Sequence, residues 1–416
     1  MPAYEFQNAL FPFSADPPHK GHKNVMCNAL KFCARLIVLI LSNEGKKHTF
    51  SIEKREEMVR ELVSDLPKEE RDRIEIRSSD GLMCYEYLRF GCDALIRGVR
   101  DERDQAYEED YIAKQALLFP WFSGTPVIAI TAHGERIKIA STIAEGDKMK
   151  YISSTVIKAA VQAHLPVDQF VPVPTQQALE EALNGHYKLG VTGTISTGKT
   201  AVTGRLKDLI EARYGIDVHV LGIDGFVREI YADPCVGCDK LRRQLAERFG
   251  EAVLTNSGTD VDRVFLKSQL FGTPDADEAR RYVENITRPH VQRLYCDKLR
   301  AIRREKPRAA PQLILLEWAQ PVSAGLSAWS NGNVLLIDAP SAERARAAEQ
   351  RGISAERLAA TLSVQGTTAD LAAALEQRGD HVLTFLNRWL SPSADVLCDQ
   401  VGLTCEILKL FPGLMK

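Results

Sequence analysis

The chain has 416 residues, 45% hydrophobic and 26% charged, with a formal net charge of −2. That length supports two or three domains, each able to bury its own core, and the balanced charge carries no nucleic-acid footprint. The longest aliphatic run, residues 36–41, is six residues long and reads as a buried strand, far short of a membrane span.

From residue 9 to about 120, strand-like and helix-like segments alternate. Strands are predicted at 9–13, 35–41, 74–77, 94–96 and 127–130. Helices are predicted over 23–32, 51–65 with Ser51 as N-cap, 82–90 and 105–119. Units of this length imply a doubly wound α/β fold with a parallel sheet. Residues 131–150 read as a polar excursion, and Ser153 opens another helix. A helix over 176–184 is broken by Gly185, which sets a boundary between domains at 1–184 and 187–416. The second half repeats the alternation, with strands at 188–192, 218–223, 313–316 and 334–337. Its helices fall at 200–213, 341–350, 354–364 and 368–377, with a mostly helical stretch over 239–304. The overall expectation is two three-layer α/β domains.

Gly193, Thr194, Ile195, Ser196, Thr197, Gly198, Lys199 and Thr200 fit the phosphate-loop pattern of Gly, four residues, then Gly-Lys-Thr. A strand precedes the loop and a helix follows it, which is the context the motif requires. Backbone N–H groups and the helix N-terminus would face the phosphates of ATP, Lys199 would reach them, and Thr200 would hold Mg²⁺. Asp224 ends the next strand, where a carboxylate can align an acceptor hydroxyl or serve as a helix N-cap.

Between the first strand and first helix lie Ser14, His19, Gly21 and His22, at the edge where open parallel sheets place ligands. Zinc competes as a reading of the two histidines, but no third ligand stands at a convincing spacing. This stretch resembles the (T/H)xGH motif of the nucleotidyltransferase superfamily, whose members transfer an adenylyl group and release pyrophosphate. Arg97-Gly98-Val99-Arg100, Asp104 and Tyr107-Glu108 resemble the signature of bacterial phosphopantetheine adenylyltransferase. So do the Lys46-Lys47 loop with Phe50, Ser51 and Arg55, the Ser153-Ser154-Thr155 turn, and Phe170-Val171-Pro172. Order and spacing agree over residues 9 to about 182. The resemblance implies that Ser14 and His22 hold the reacting phosphate, while Lys46 and Arg97 grip the phosphate of 4′-phosphopantetheine. Met83 would line the pantetheine channel, and Gly98, Arg100, Glu108, Ser153, Ser154 and Thr155 would hold ATP. Phe13, Ala15 and the Gln105-Ala106 pair depart from the family pattern.

In the second half, the phosphate loop, Asp224, Arg248-Phe249-Gly250, Val261-Asp262-Arg263 and Arg288-Pro289 resemble dephospho-coenzyme A kinase, in its usual order. Gln365, Asp380 and Asn387 resemble its later segments. Lid arginines are sought at Arg344, Arg346 and Arg351, at a shifted spacing. Together the resemblances imply the last two steps of coenzyme A synthesis, with small-molecule substrates and ATP with Mg²⁺. A nicotinamide mononucleotide adenylyltransferase fused to a ribosylnicotinamide kinase has the same two-module layout. A non-catalytic nucleotide-sensing second half is the third reading. The start of the chain lacks a signal-peptide layout, and nine scattered cysteines form no framework, so a cytoplasmic setting is expected. Cys235-Val236-Gly237-Cys238 is a lone CxxC, for which two reduced thiols are preferred to a metal or redox role. Neither nucleic acid nor membrane is expected as a partner, and a homo-oligomer is left open.

Overall fold

The computed structural model describes residues 4–42, 48–270, 275–305, 311–318, 326–388 and 394–415. The chain forms two compact units, each drawn from two stretches: residues 1–156 with 228–297, and residues 157–227 with 298–416.

In the first unit, β1 (Phe6–Phe13), β2 (Cys33–Leu41), β3 (Ile74–Ser79), β4 (Ala94–Val99), β5 (Val127–Thr131) and β6 (Arg136–Ile139) form one sheet of order β3-β2-β1-β4-β5-β6. The first five run parallel, as their spacing by intervening helices requires. The apolar run of β2 is buried on both faces, with Leu36, Val38 and Ile40 fully enclosed. Each such side chain contributes roughly 1.5–3 kcal/mol by leaving water. β6 lies antiparallel to β5, so part of the expected polar excursion is a hairpin. Too few residues separate β5 from β6 for the crossover that a parallel pair would need.

The helix after β1 runs Lys20–Ala29, three residues earlier than the pattern predicts. His19 is its N-cap, an imidazole in place of the usual short oxygen side chain, so the apolar pattern alone misplaces the start. Ser51 caps the Ile52–Leu62 helix as expected, accepting from the Lys54 N–H at 3.3 Å.

Of the stretch predicted as mostly helical, the part up to residue 297 belongs to the first unit. It holds the helices Val236–Phe249, Arg263–Leu270 and most of Ala276–Glu305, and a small hairpin of β7 (Leu254–Thr255) and β8 (Asp260–Val261). Its Val236–Phe249 helix packs on the Met83–Arg89 helix. A Cβ at Gly237 would run into the Leu88 carbonyl oxygen, so only glycine allows this approach. Lys240 Nζ pairs with Asp93 at 2.8 Å, and the buried Tyr85 hydroxyl meets Cys296 Sγ at 3.5 Å.

The second unit holds a fully parallel sheet. Its strands are β9 (His186–Thr192), β10 (Asp217–Gly222), β11 (Gln312–Glu317), β12 (Asn333–Asp338) and β13 (His381–Leu386), in the order β13-β12-β9-β11-β10. β9 is central and buried throughout, so the loop that leaves it is anchored on both sides. β13, absent from the predicted elements, is an edge strand with only one side chain fully buried. Its apolar residues Val382, Leu383, Phe385 and Leu386 do not alternate with polar ones, so the two-residue period of a half-buried strand is missing.

Candidate active sites

At the first site, β1 ends at Phe13, and Ala15 adopts a left-handed φ of 52° that turns the chain toward the helix. Arg55 is 1% exposed and donates to the carbonyl oxygens of Ser14 (2.7 Å) and Leu41 (3.2 Å), tying the ends of β1 and β2 together. Asp16 accepts from the N–H groups of Thr49 (2.7 Å) and Phe50 (3.2 Å), with His48 Nδ1 at 3.5 Å. The Thr49 N–H does most to hold its carboxyl below the usual range. Thus the chain after β2 returns to the edge that carries Ser14. Lys46, the predicted phosphate ligand, lies outside the described residues.

His19 and His22 form a reciprocal cap. The Gly21 N–H donates to His19 Nδ1, and the His19 N–H donates to His22 Nδ1, each at 3.1 Å. An Nδ1 that accepts leaves the proton of the neutral ring on Nε2. The His22 ring lies 3.7 Å from His19 and 4.6 Å from Phe13, centre to centre. Burial, reinforced by His19 and Arg100, pushes its pKa down to about 4. His22 is therefore a neutral donor at pH 7, beside a guanidinium that favours an incoming anion.

The structure brings Arg97 and Glu108 together. Arg97 grips both carboxylate oxygens, Nε to Oε2 at 2.6 Å and Nη2 to Oε1 at 2.7 Å, and donates a third bond to the Pro12 carbonyl oxygen at 3.0 Å. The third bond fastens β4 to the end of β1. Arg100 is largely exposed and paired with Asp104, Nη2 to Oδ1 at 2.9 Å. Met83 is buried at the first turn of its helix. Ser153 Oγ accepts from the Val156 N–H at 3.3 Å, opening the Ser154–Gln162 helix. Sequence reasoning passed over Ser79, Gly81 and Glu86, which shape the lead into Met83. Ser79 Oγ donates to Glu86 Oε1 at 2.8 Å, and the Gly81 N–H donates to Ser79 Oγ at 2.9 Å.

The second site is the loop after β9. Gly193 has φ 154°, and a Cβ there would collide with the Ile337 carbonyl oxygen. Ser196 (φ 60°) and Gly198 (φ 79°) curl the loop before the Lys199–Tyr214 helix. Lys199 Nζ folds back on the carbonyl oxygens of Gly193 (2.9 Å) and Thr194 (3.2 Å). Burial lowers its pKa and Arg351 adds to this, while Glu317 and Asp224 oppose both. The buried hydroxyls of Thr194 and Ser196 have no hydrogen-bond partner among the described residues, a state that an incoming phosphate would relieve. Gln365 Oε1 accepts from the Ile195 N–H at 2.9 Å, and Asn387 Nδ2 donates to the Thr197 carbonyl oxygen at 2.9 Å.

Thr200 Oγ1 donates to Glu317 Oε1 at 2.5 Å. A hydroxyl and a carboxylate beside a phosphate loop are the hard oxygen donors that suit Mg²⁺. Glu317 escaped the sequence-based site, although an acid ending the apolar run 313–316 was its signal. Asp224 stands in the first turn of the Ile223–Ala232 helix and is exposed. Of the arginine candidates, Arg344 is committed to the end of β12. It pairs with Asp338 and donates to the Ala339 carbonyl oxygen at 2.9 Å and toward Thr368 Oγ1 at 3.4 Å. Arg346 and Arg351 are exposed, and Arg351 is the one whose charge Lys199 feels.

Two α/β sheets, each with a loop leading into a helix N-terminus at its strand ends, fit a nucleotide-dependent transferase built twice. The cytidylyltransferase-like family matches residues 10–160, and the dephospho-CoA kinase family matches residues 187–378. The phosphopantetheine adenylyltransferase of Bacteroides thetaiotaomicron is 30% identical over 166 residues, 40% of this chain and 95% of that protein. That of Paenarthrobacter aurescens is 29% identical over 169 residues, 39% of this chain and 96% of that protein. That of Rhizobium rhizogenes is 40% identical over 101 residues, 24% of this chain and 60% of that protein. The chain belongs to the phosphopantetheine adenylyltransferase family through its N-terminal half and carries a dephospho-CoA kinase domain after it. It is a bifunctional transferase of the last two steps of coenzyme A biosynthesis. The nicotinamide and sensing readings are set aside accordingly.

Proposed function

We infer that the two sites act in succession, with the residues named above in distinct roles. At the first, the phosphate oxygen of 4′-phosphopantetheine attacks the α-phosphorus of ATP in line. One P–O bond forms, the bond to the β-phosphate oxygen breaks, and pyrophosphate leaves. His22 donates its Nε2 proton in a hydrogen bond to the charge that develops on the α-phosphate, with Ser14 beside it. Arg97, preset by Glu108 and Pro12, and Lys46 receive the phosphopantetheine phosphate. Arg100 and the 153–155 turn hold ATP, and Met83 lines the pantetheine path.

At the second site, the ribose 3′-hydroxyl of dephospho-coenzyme A attacks the γ-phosphorus, its proton passes toward Asp224, and ADP leaves. Lys199 turns from its own loop carbonyls onto the phosphates, and the 193–200 backbone cradles them. Mg²⁺, bound with ATP, would be held by Thr200 and Glu317 and would neutralise charge between the β- and γ-phosphates. Arg351 is the better placed lid arginine, since Arg344 is spent at β12. The observation that carries this reading is that two separate anion-receiving sites, His22 with Arg100 and the 193–200 loop, occur in one chain in reaction order.

The partners are then small molecules, with neither nucleic acid nor membrane involved. No helix among the described residues is long and apolar enough to cross a membrane. Cys27, Cys33, Cys84, Cys92, Cys235, Cys238, Cys296 and Cys405 are in no disulfide, as a reducing cytoplasm would keep them. The test uses the full chain with 4′-phosphopantetheine, ATP and Mg²⁺, read by mass spectrometry. Lys199→Ala should accumulate dephospho-coenzyme A. His22→Ala should form dephospho-coenzyme A roughly 10²–10³-fold more slowly yet phosphorylate supplied dephospho-coenzyme A at the unchanged rate. Loss of both steps in either properly folded variant would refute the division of labour.

A further inference from the structure

Between the Ile223–Ala232 and Val236–Phe249 helices, the ligand atoms of Asp233, Cys235 and Cys238 lie within 4.8 Å of one another. Cys235 is the N-cap of the second helix, half-buried, and its Sγ accepts from the Cys238 N–H at 3.4 Å. Cys238, three residues on, is fully enclosed. Arg293, from the long Ala276–Glu305 helix, places Nη2 3.1 Å from Asp233 Oδ2 and 4.0 Å from Cys238 Sγ. His290 Nδ1 lies 3.8 Å from the same sulfur. One half-buried thiol, a second sealed behind it, and a guanidinium against the second sulfur suit an attacking and a resolving cysteine.

We propose that Cys235 and Cys238 form a reversible dithiol–disulfide site whose oxidant is a low-molecular-weight disulfide. The Cys235 thiolate attacks one sulfur of the oxidant, forming a mixed disulfide and expelling the first thiolate. Cys238 then gives up its proton to that thiolate, and its sulfur displaces the second thiolate from Cys235. Two protein thiols lose two electrons between them, and the small disulfide becomes two small thiols. Residues three apart on a helix start are neighbours, and with the two sulfurs already within 4.8 Å of one another a small adjustment of the first turn brings them into bonding range.

The surroundings favour this direction of attack. The Cys238 thiol, then its N–H and Arg293, lower the Cys235 pKa to about 7 against burial and Asp233, while Cys238 is held well above its ordinary value. His290 is neutral, its pKa pushed to about 3 by burial. A divalent cation is the rival occupant. Asp233, however, already accepts from Arg293 and from the Cys235 N–H at 2.9 Å, so the guanidinium holds the place of the metal.

The test treats the reduced full-length chain with glutathione disulfide at pH 7, alkylates the remaining thiols and maps them by mass spectrometry. A Cys235–Cys238 link should form about tenfold faster than any adduct on the exposed Cys405. Cys238→Ser should stall as a glutathione adduct on Cys235, and Cys235→Ser should leave Cys238 reduced. Both cysteines still alkylatable after Cys405 has reacted would overturn the proposal. So would a stoichiometric metal in the purified protein that is lost in Cys238→Ser, which would make this a metal site instead.

Discussion

In the proposed adenylyl transfer His22 would act through the proton on Nε2, and the backbone N–H that its Nδ1 accepts is what leaves the proton there. Removing one preorganised donor to a developing charge typically costs ~2.7–4 kcal/mol, a fall of roughly 10²–10³-fold. His22→Ala should lower kcat for pyrophosphate release by that factor with the kinase rate unchanged, as coupled assays of the two half-reactions will show. Arg97 is less simple to interrogate. Its side chain is 16% exposed and that of Glu108 10%, so Arg97→Ala strands a carboxylate in a poorly solvated place. Breaking one side of such a pair costs about 3–5 kcal/mol. Arg97→Ala should therefore lower the urea midpoint markedly, and Glu108→Gln in the same chain should restore most of it. The double variant should still bind 4′-phosphopantetheine weakly, which separates the phosphate role from the structural one. Equal midpoints for the single and double variants would show that the ion pair contributes nothing.

At the scale of elements, the Val236–Phe249 helix meets the Met83–Arg89 helix through a bare glycine backbone. Alanine in a helix is ordinarily favoured over glycine by about 1 kcal/mol. At position 237 the added methyl must displace the Leu88 carbonyl, and overpacking of this kind costs roughly 1–3 kcal/mol. The steric cost decides the sign, so Gly237→Ala should destabilise the chain, measured as a lower thermal midpoint. The phosphate loop was readable in the sequence because its chemistry is local, with eight consecutive residues, a strand before and a helix after. The (T/H)xGH stretch and the Ser51 cap were readable for the same reason. The commitment of Arg344 was not, because it depends on how its helix folds back on Asp338, six residues earlier at the end of β12, and toward Thr368. Glu317 escaped for the converse reason, since its value comes from Thr200, over a hundred residues away in the chain. The N-cap at His19 was hidden because an imidazole is an unusual cap, and β13 because its apolar residues do not alternate with polar ones.

At the scale of the molecule, each unit holds a buried imidazole that cannot take up a proton cheaply. Burial holds His290 in the first unit and His186 in the second near pKa 3, against 6.5 in an open chain. Between those values the unfolded chain binds protons that the folded chain refuses, so stability is full above about pH 7 and falls as pH drops. The slope is roughly 1.4 kcal/mol per pH unit for each group. Urea midpoints should thus decline from pH 7 to pH 5 in both units, and a flat profile would contradict the buried neutral state. A second expectation concerns the linker. Cleavage near Gly185 yields pieces 1–185 and 186–416, and the first unit draws on both. The cut pieces should co-elute on size exclusion under native conditions and separate only in denaturant.

The grouping of residues 228–297 with 1–156 also sets an order of events during synthesis. The N-terminal sheet is translated first, but the surface that receives Gly237 and Lys240 stays uncovered until the chain has grown past residue 297. At about 5–20 residues per second, the nascent first unit waits several seconds or more with that face exposed. A ribosome stalled just short of residue 228 would hold a sheet that has formed, and an enzyme that has not yet been finished.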